Sequence, residues 1–386
     1  LFCLILCVAA DNYVGDPFNC KILCARRSCR NEAEDQLRIK IVAFQRDEIE
    51  TLSDWLQYHS YLFGIKNIVV IDHASTNQNI IELLGLYKQC GATIVHLPKN
   101  FPFDQKYMMM TKELKQFSNS LLVPLDVDEF VVATRQVDTE IKIIQQRGEI
   151  IKRFASLPID GRKYKFQHSY NMIGSNFSCR SKLESGEWQD QQYRRTQRAG
   201  YMAWENATDI AIKMMLKTFF YSEGFLSTDE GNHHGEVIHD HGNIRGPTVR
   251  KNTARFYIFS NLSLLHYSTP SFYGARLKFI RGAVAYGYLH GSNCTHPGVI
   301  HGRHYCSGAP LFVNSTSELA RNAYMTLCSR MEWPYHQKSD ESKHWFERNA
   351  IPLKDLFHKT GRNFVSRPIS YEHDHLFEVF QNNTSK

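Results

Sequence analysis

Asp126 and Asp128 stand one residue apart in LLVPLDVDEF, residues 121–130, directly after an apolar run. Two carboxylates at i and i+2 offer hard oxygen ligands to a divalent cation. A cation held there acts as a Lewis acid and neutralises a departing diphosphate. Asp-x-Asp alone arises about once by chance in a chain of this size. Its place at the end of a buried strand is what gives it weight, against the plainer reading of a solvated acidic loop. Polar clusters recur at Gln45-Arg46-Asp47-Glu48 and at Asp72-His73-Ala74-Ser75. Downstream, Asp229-Glu230 forms a further acidic pair. A carboxylate within reach of an attacking hydroxyl can take its proton, although a polar loop containing glycine explains the same residues. His233, His234, His239 and His241 form a competing cluster, in which His239-Asp240-His241 could chelate zinc. Their spacing matches no closed zinc site, and no His-Glu-x-x-His helix occurs.

The elements that must hold these residues alternate between strand and helix. Residues 37–44 (LRIKIVAF) read as a buried strand, and residues 47–62 carry Ile49, Leu52, Leu56 and Leu62 at helical spacing. Residues 65–72 form a second predicted strand and 78–87 a second helix; 93–96 a third strand and 105–117 a third helix; 121–125 a fourth strand. This order predicts an α/β fold with a mainly parallel sheet flanked by helices. Ligands of such sheets bind beyond the carboxyl ends of the strands, where all three polar clusters fall. No Gly-x-Gly-x-x-Gly or Walker loop follows the first strand, which argues against dinucleotide dehydrogenases and P-loop NTPases. Beyond Phe130 the pattern loosens. Residues 163–167 read as a strand, 209–221 mix helical and strand signals, and 272–286, 317–331 and 341–349 read as helices.

The 386 residues carry a net charge of +7 with basic residues scattered, so no nucleic-acid tail is expected. The excess fits either a solvated basic surface or a phosphate-bearing substrate. Residues 1–10 (LFCLILCVAA) resemble the apolar core of a secretory signal or a truncated signal-anchor. They are too short to span a bilayer, which needs about 20 residues. Asn-x-Ser/Thr triplets begin at Asn176, Asn206, Asn261, Asn293, Asn314, Asn382 and Asn383, where chance supplies about two. Of the 10 cysteines, those outside the leader form an even set that reads as disulfides of unknown connectivity. Together these predict the lumen of the secretory pathway (Golgi or endoplasmic reticulum) or secretion. Membrane association is expected only through an N-terminal anchor. The predicted organisation is a leader over 1–10, a Cys-rich stem over 11–36, a main domain over 37–290 and a C-terminal mixed extension over 291–386.

The segments IVAFQRDE, WLQYH, IVVIDHASTN, FDQ and LLVPLDVDEF, in that order, resemble the family-92-type and family-2-like glycosyltransferases with the Rossmann-like GT-A fold. LLHYSTPS and KFIRG farther on agree. The resemblance implies that Asp72 pairs with the uracil ring of a UDP-sugar, with helix capping as its other reading. It implies that Asp126 meets the ribose or the metal, Asp128 the metal, and that His266 completes the metal's ligands; a core histidine is the alternative there. Arg46, Glu48 and Ser75 fall among the donor contacts. Gln105 and Lys106 fall where relatives touch the donor phosphates, and Lys217 and Lys278 are further positions of that kind. Asp229 or Glu230 stands where inverting relatives place their base. Two departures are visible: Arg-Asp-Glu replaces a basic-Asn-Glu start, and Ala74 replaces the glycine of the common Asp-Asn-Gly-Ser-Thr-Asp.

Taken with these residues, the resemblance implies a glycosyltransferase, assisted by Mn²⁺ or Mg²⁺, that moves a sugar from a UDP-sugar donor to a glycan or glycoprotein hydroxyl with inversion. Its rivals are an inactive nucleotide-sugar-binding protein and a His-rich zinc metallohydrolase. The sugar, the acceptor and the oligomeric state are not encoded in any motif.

Overall fold

A computed structural model describes residues 38–49, 51–102, 105–137, 140–158, 163–174, 193–197, 217–229, 232, 235–237, 257–267 and 277–282. The first half follows the predicted alternation: β1 (Ile39–Gln45), α1 (Leu52–Phe63), β2 (Ile68–His73), α2 (Gln78–Gln89), β3 (Thr93–Leu97), α3 (Lys106–Leu114) and β4 (Leu121–Leu125). The chain is an α/β protein with a mainly parallel central sheet flanked by helices. With β7 (Lys163–Lys165), β10 (Thr218–Tyr221) and β13 (Tyr257–Phe259), the sheet takes the order β13-β7-β10-β4-β1-β2-β3. Only β10 runs antiparallel to its neighbours.

Both faces of this sheet are covered, which is why its strands are apolar nearly throughout. One face presents Ile39, Ile41, Ala43, Ile68 and Val70 to α1, α2 and α4 (Arg147–Ala155). The other presents Val42, Val69, Ile71 and Phe220 to Met110 and Leu114 of α3 and to the hairpin of β11 (Phe225–Thr228) and β12 (Gly235–Val237). Burying this apolar area is the main driving force for the layers.

Beyond Phe130 the structure adds what the loosened pattern did not reveal. A second sheet has the order β6-β5-β14-β8-β9, built from β5 (Glu129–Val137), β6 (Glu140–Ile144), β8 (His168–Gly174), β9 (Tyr193–Gln197) and β14 (Leu262–His266). The central member β14 pairs with β5 from 129 or more residues away, as at Ala133 and Leu262. No local pattern announces such a partner. The mixed segment 209–221 resolves at its end into β10, and within 272–286 residues 277–282 are helical. Expected helices at 317–331 and 341–349, the leader, the stem and the C-terminal extension lie outside the described residues.

Two boundaries move for a physical reason. The first helix begins at Leu52, because Asp47 takes a positive φ of 47° and its carboxylate accepts the N–H groups of Thr76 (2.8 Å) and Asn77 (2.9 Å). Ile65–Asn67 form a 3₁₀ turn, so β2 starts at Ile68. Among the described residues, no helix is long and apolar enough to cross a membrane.

Candidate active site

Parallel pairing sets Gln45 beside Asp72 and Ala43 beside Leu125. The carboxyl ends of β2, β1 and β4 thus form one row. Asp72 and Asp126 sit two strand spacings apart along it, about 10 Å. The third polar cluster, after β1, falls between them.

On the far side of β4, β10 pairs only at Leu121 and Leu122. Past that point Pro124 has no N–H to offer, and Thr218 donates instead to the Asn232 carbonyl at 2.7 Å. Lys217, just before β10, is thereby brought to the same row. Its Nζ lies 2.6 Å from Asp126 Oδ2 and 3.5 Å from Glu129 Oε2. Glu129 Oε2 also accepts the Asp126 N–H at 3.0 Å. Asp126 is half-exposed, whereas Glu129 and Lys217 are buried. Burial would raise the Asp126 carboxyl, but Lys217, with Lys106 beyond it, outweighs that and holds it below its usual range. Burial would likewise lower Lys217, and Asp126 with Glu129 raises it instead. Glu129 is the opposite case: burial wins and its carboxyl is raised.

Asp128 has partners of its own. Its Oδ2 lies 2.8 Å from Lys278 Nζ and 3.4 Å from His266 Nε2. Against the cost of burial, these hold its carboxyl well below the usual range. His266, at the end of β14, is therefore a member of the Asp128 cluster as well as a buried residue. Asp128 Oδ1 is buried and has no hydrogen-bond partner among the described residues. A carboxylate oxygen in that state suits a hard divalent cation. Among the described residues, no group of three or more His, Cys, Asp or Glu side chains is gathered as a metal site. Mg²⁺-type sites commonly use one or two carboxylates and are completed by substrate phosphates and water. Asp128 could hold an ion of that kind, with His266 beside it as a further donor.

Asp72 does not cap α2. That role belongs to Asn77, whose side chain accepts from the N–H groups of Asn79 and Ile80. Asp72 is instead held by side chains from β1, β3 and the turn after β2. Its Oδ1 accepts from Gln45 Nε2 and from Ser75 Oγ (2.6 Å), and its Oδ2 lies 3.2 Å from Nδ1 of the half-exposed His96. Ser75 is spent on this network, since its hydroxyl also accepts from Gln45 Nε2 (3.0 Å) and the Asp47 N–H (2.9 Å). Ala74 takes a φ of 51°, so the turn is kept in the left-handed form that glycine favours.

Arg46 is half-buried near Asp72, with Nε buried and lacking a hydrogen-bond partner among the described residues. Burial lowers its guanidinium, with Asp47 opposing. Glu48 is paired with Arg281 Nη2 at 2.9 Å, and Arg281 Nη1 also donates to the Asp47 carbonyl. Gln105 is the first residue before α3 and makes no side-chain cap. Lys106 opens that helix close enough to Asp126 to lower its carboxyl.

Asp229 follows β11. Its carbonyl accepts the N–H of Asn232, the residue stitched to Thr218 beside Lys217. Asp229 raises the buried Lys165, whose amine burial nonetheless lowers to about 7. Glu230 and the four clustered histidines, His233, His234, His239 and His241, lie outside the described residues. Sequence reasoning missed His96 and Lys165. Gln45 and Asp47 were part of a strand-end polar cluster, and Glu129 and Arg281 lay within the quoted motifs, but nothing local marked any of these four as partners of Asp72, Thr76, Asp126 and Glu48.

No family profile matches the chain, and no curated protein matches it at a significant level. Among solved structures, the chain is similar to S. aureus TarS, with a TM-score of 0.32 and 11% identity, covering 78% of this chain and 55% of that one. It is also similar to S. aureus TarS 1-349, with a TM-score of 0.31 and 11% identity, covering 78% and 92%. The chain thus spans little more than half the length of the first of these.

Proposed function

We propose that the chain is a GT-A-type glycosyltransferase that moves a sugar from a UDP-linked donor to a glycan or glycoprotein hydroxyl with inversion, assisted by Mn²⁺ or Mg²⁺. One observation carries the reading: two adjacent carboxylates, each with its own cation, share a row of strand ends with a third carboxylate fixed by Gln45 and Ser75. Three of the segments that resemble family-92-type and family-2-like glycosyltransferases, IVAFQRDE, IVVIDHASTN and LLVPLDVDEF, end on that row.

In this reading Asp72 accepts the imide N–H of uracil, and Gln45 and Ser75 keep its carboxylate from rotating. Arg46 and Lys106 draw in the diphosphate, which is why basic groups crowd a row otherwise lined by carboxylates. Asp126, half-exposed and tethered by Lys217, takes the ribose. Asp128 and His266 would hold the divalent ion, which supplies Lewis-acid neutralisation of the leaving diphosphate. Asp229 or Glu230 takes the proton of the acceptor hydroxyl as its oxygen bonds to the anomeric carbon. The bond from that carbon to the phosphate oxygen breaks, and UDP leaves with the electron pair. The sequons and the disulfide at Cys90 support a lumenal address for this chemistry. Asn261, one of the sequons, is exposed at the turn between β13 and β14.

UDP at about 100 times its dissociation constant adds roughly 2.7 kcal/mol of stability. A thermal shift of several degrees is expected with UDP plus Mn²⁺ or Mg²⁺, and its loss in Asp128→Ala. No shift with any divalent ion overturns the reading. A shift without UDP release from any donor, across an acceptor panel, would assign the inactive binding protein.

A further inference from the structure

The two carboxylates of Asp126-Val127-Asp128 are neutralised in different ways. Lys217 is buried, bonded to Asp126 at 2.6 Å and backed by Glu129; it is part of the framework. Lys278 bonds Asp128 at 2.8 Å, but its side chain is 31% exposed. It projects from the helical residues 277–282, in which Leu277, Phe279, Ile280 and Arg281 are buried. Arg281, three residues on and so on the same helix face, pins the segment to Asp47 and Glu48. The backbone under Lys278 is thus fixed while its ammonium reaches water.

We propose that Lys278 is an exchangeable counter-ion. It occupies Asp128 while no cation is bound, gives up that carboxylate when a divalent ion binds, and then serves the donor's diphosphate from the same anchored helix. The inference rests on the donor-and-metal reading above and deepens it. Two positive charges cannot share Oδ2 at contact distance without repulsion, so Lys278 must move away from an incoming ion. Its exposure gives it somewhere to go, and Asp128 Oδ1, buried and without a hydrogen-bond partner among the described residues, gives the ion a second oxygen. The released ammonium then meets the charge the same ion has attracted. Lys278 therefore opposes the bare ion and favours the ion with its nucleotide.

The test measures these two effects separately on the full chain. Mn²⁺ is titrated alone, with free Mn²⁺ read by electron paramagnetic resonance; UDP is then titrated calorimetrically at saturating Mn²⁺. A partly exposed ion pair sets the scale of the first effect, so Lys278→Met is expected to bind Mn²⁺ alone about two- to fivefold more tightly. The same variant is expected to bind UDP with Mn²⁺ several-fold more weakly. Lys278→Arg keeps the charge and should return Mn²⁺ affinity towards the wild-type value. Effects of one sign in both titrations, or unchanged Mn²⁺ affinity in Lys278→Met while the wild type still binds UDP with Mn²⁺, would overturn the exchange alone. Failure of the wild type to bind UDP under any condition would instead bring down the donor reading, and failure of both proteins to bind Mn²⁺ would overturn the exchange with the metal reading.

Discussion

Lys217 Nζ meets Asp126 Oδ2 at 2.6 Å across 91 residues of chain. The contact exists because β10 runs antiparallel to β4 and enters the sheet at the edge where β4 leaves it. Breaking a buried pair by removing one partner typically costs 3–5 kcal/mol; with Asp126 half-exposed, the lower end applies. Lys217→Met is expected to lose about 3 kcal/mol in denaturant unfolding, and adding Glu129→Gln should recover part of it. The pH signs follow from the shifts. Asp126 is depressed from 3.8, so its contribution is present above about pH 4 and lost as pH falls. Lys217 is raised from 10.5, so its contribution is present below about pH 10.5 and lost as pH rises further. A wild-type stability profile that stays flat below pH 4 would contradict this.

Lys165 titrates the other way. Burial lowers its amine from 10.5 to about 7, against the pull of Asp229. Between these values the unfolded chain binds the extra proton, so stability rises with pH across that window. Lys165→Met removes the penalty, and its melting temperature should exceed the wild-type value by more at pH 6 than at pH 10. An equal difference at both pH values would refute the assignment.

Ala74 holds a φ of 51° between Asp72 and Ser75. The left-handed region costs a non-glycine residue roughly 1–2 kcal/mol, and glycine gives back about 0.5–1 kcal/mol in chain entropy. Ala74→Gly should stabilise by up to about 1 kcal/mol and leave UDP affinity unchanged. Ala74→Val, β-branched, should destabilise by more than 1 kcal/mol. Urea titrations of the two variants decide it.

Ser75 donates to Asp72 at 2.6 Å and receives from Gln45 and the Asp47 N–H. Ser75→Ala is expected to cost about 1–2 kcal/mol, since it strips partners from buried groups. Its UDP affinity should fall about tenfold through misorientation of Asp72. Asp72→Asn should lower UDP affinity by at least as much, because the carboxylate itself is lost. Calorimetry with UDP and with CDP distinguishes orientation from recognition: loss of preference between them belongs to Asp72→Asn.

Much of this was legible in local sequence. Residues 39–125 alternate strand and helix within the span that period and turn chemistry report, so β1–β4 and α1–α3 emerge within a few residues of their expected ends. Asp72 and Asp126 follow as strand-end residues of a parallel sheet. Asp47 defeated the first helix boundary because its carboxylate serves Thr76 and Asn77, a contact no local window contains. The second sheet was invisible for the same reason, its central strand β14 pairing with a segment more than a hundred residues earlier.

The sequence by itself determined which residues can ionise, which strands are apolar on both faces, and that Asp126 and Asp128 leave the sheet together. Only the tertiary structure decided which cation each carboxylate meets. Lys217, Lys278 and His266, which only the resemblance had singled out, and Arg281 meet their carboxylates because β10, β14 and the helical residues 277–282 carry them to the strand ends. Coulomb attraction and the cost of burial both act over a few ångströms in space and are indifferent to separation along the chain.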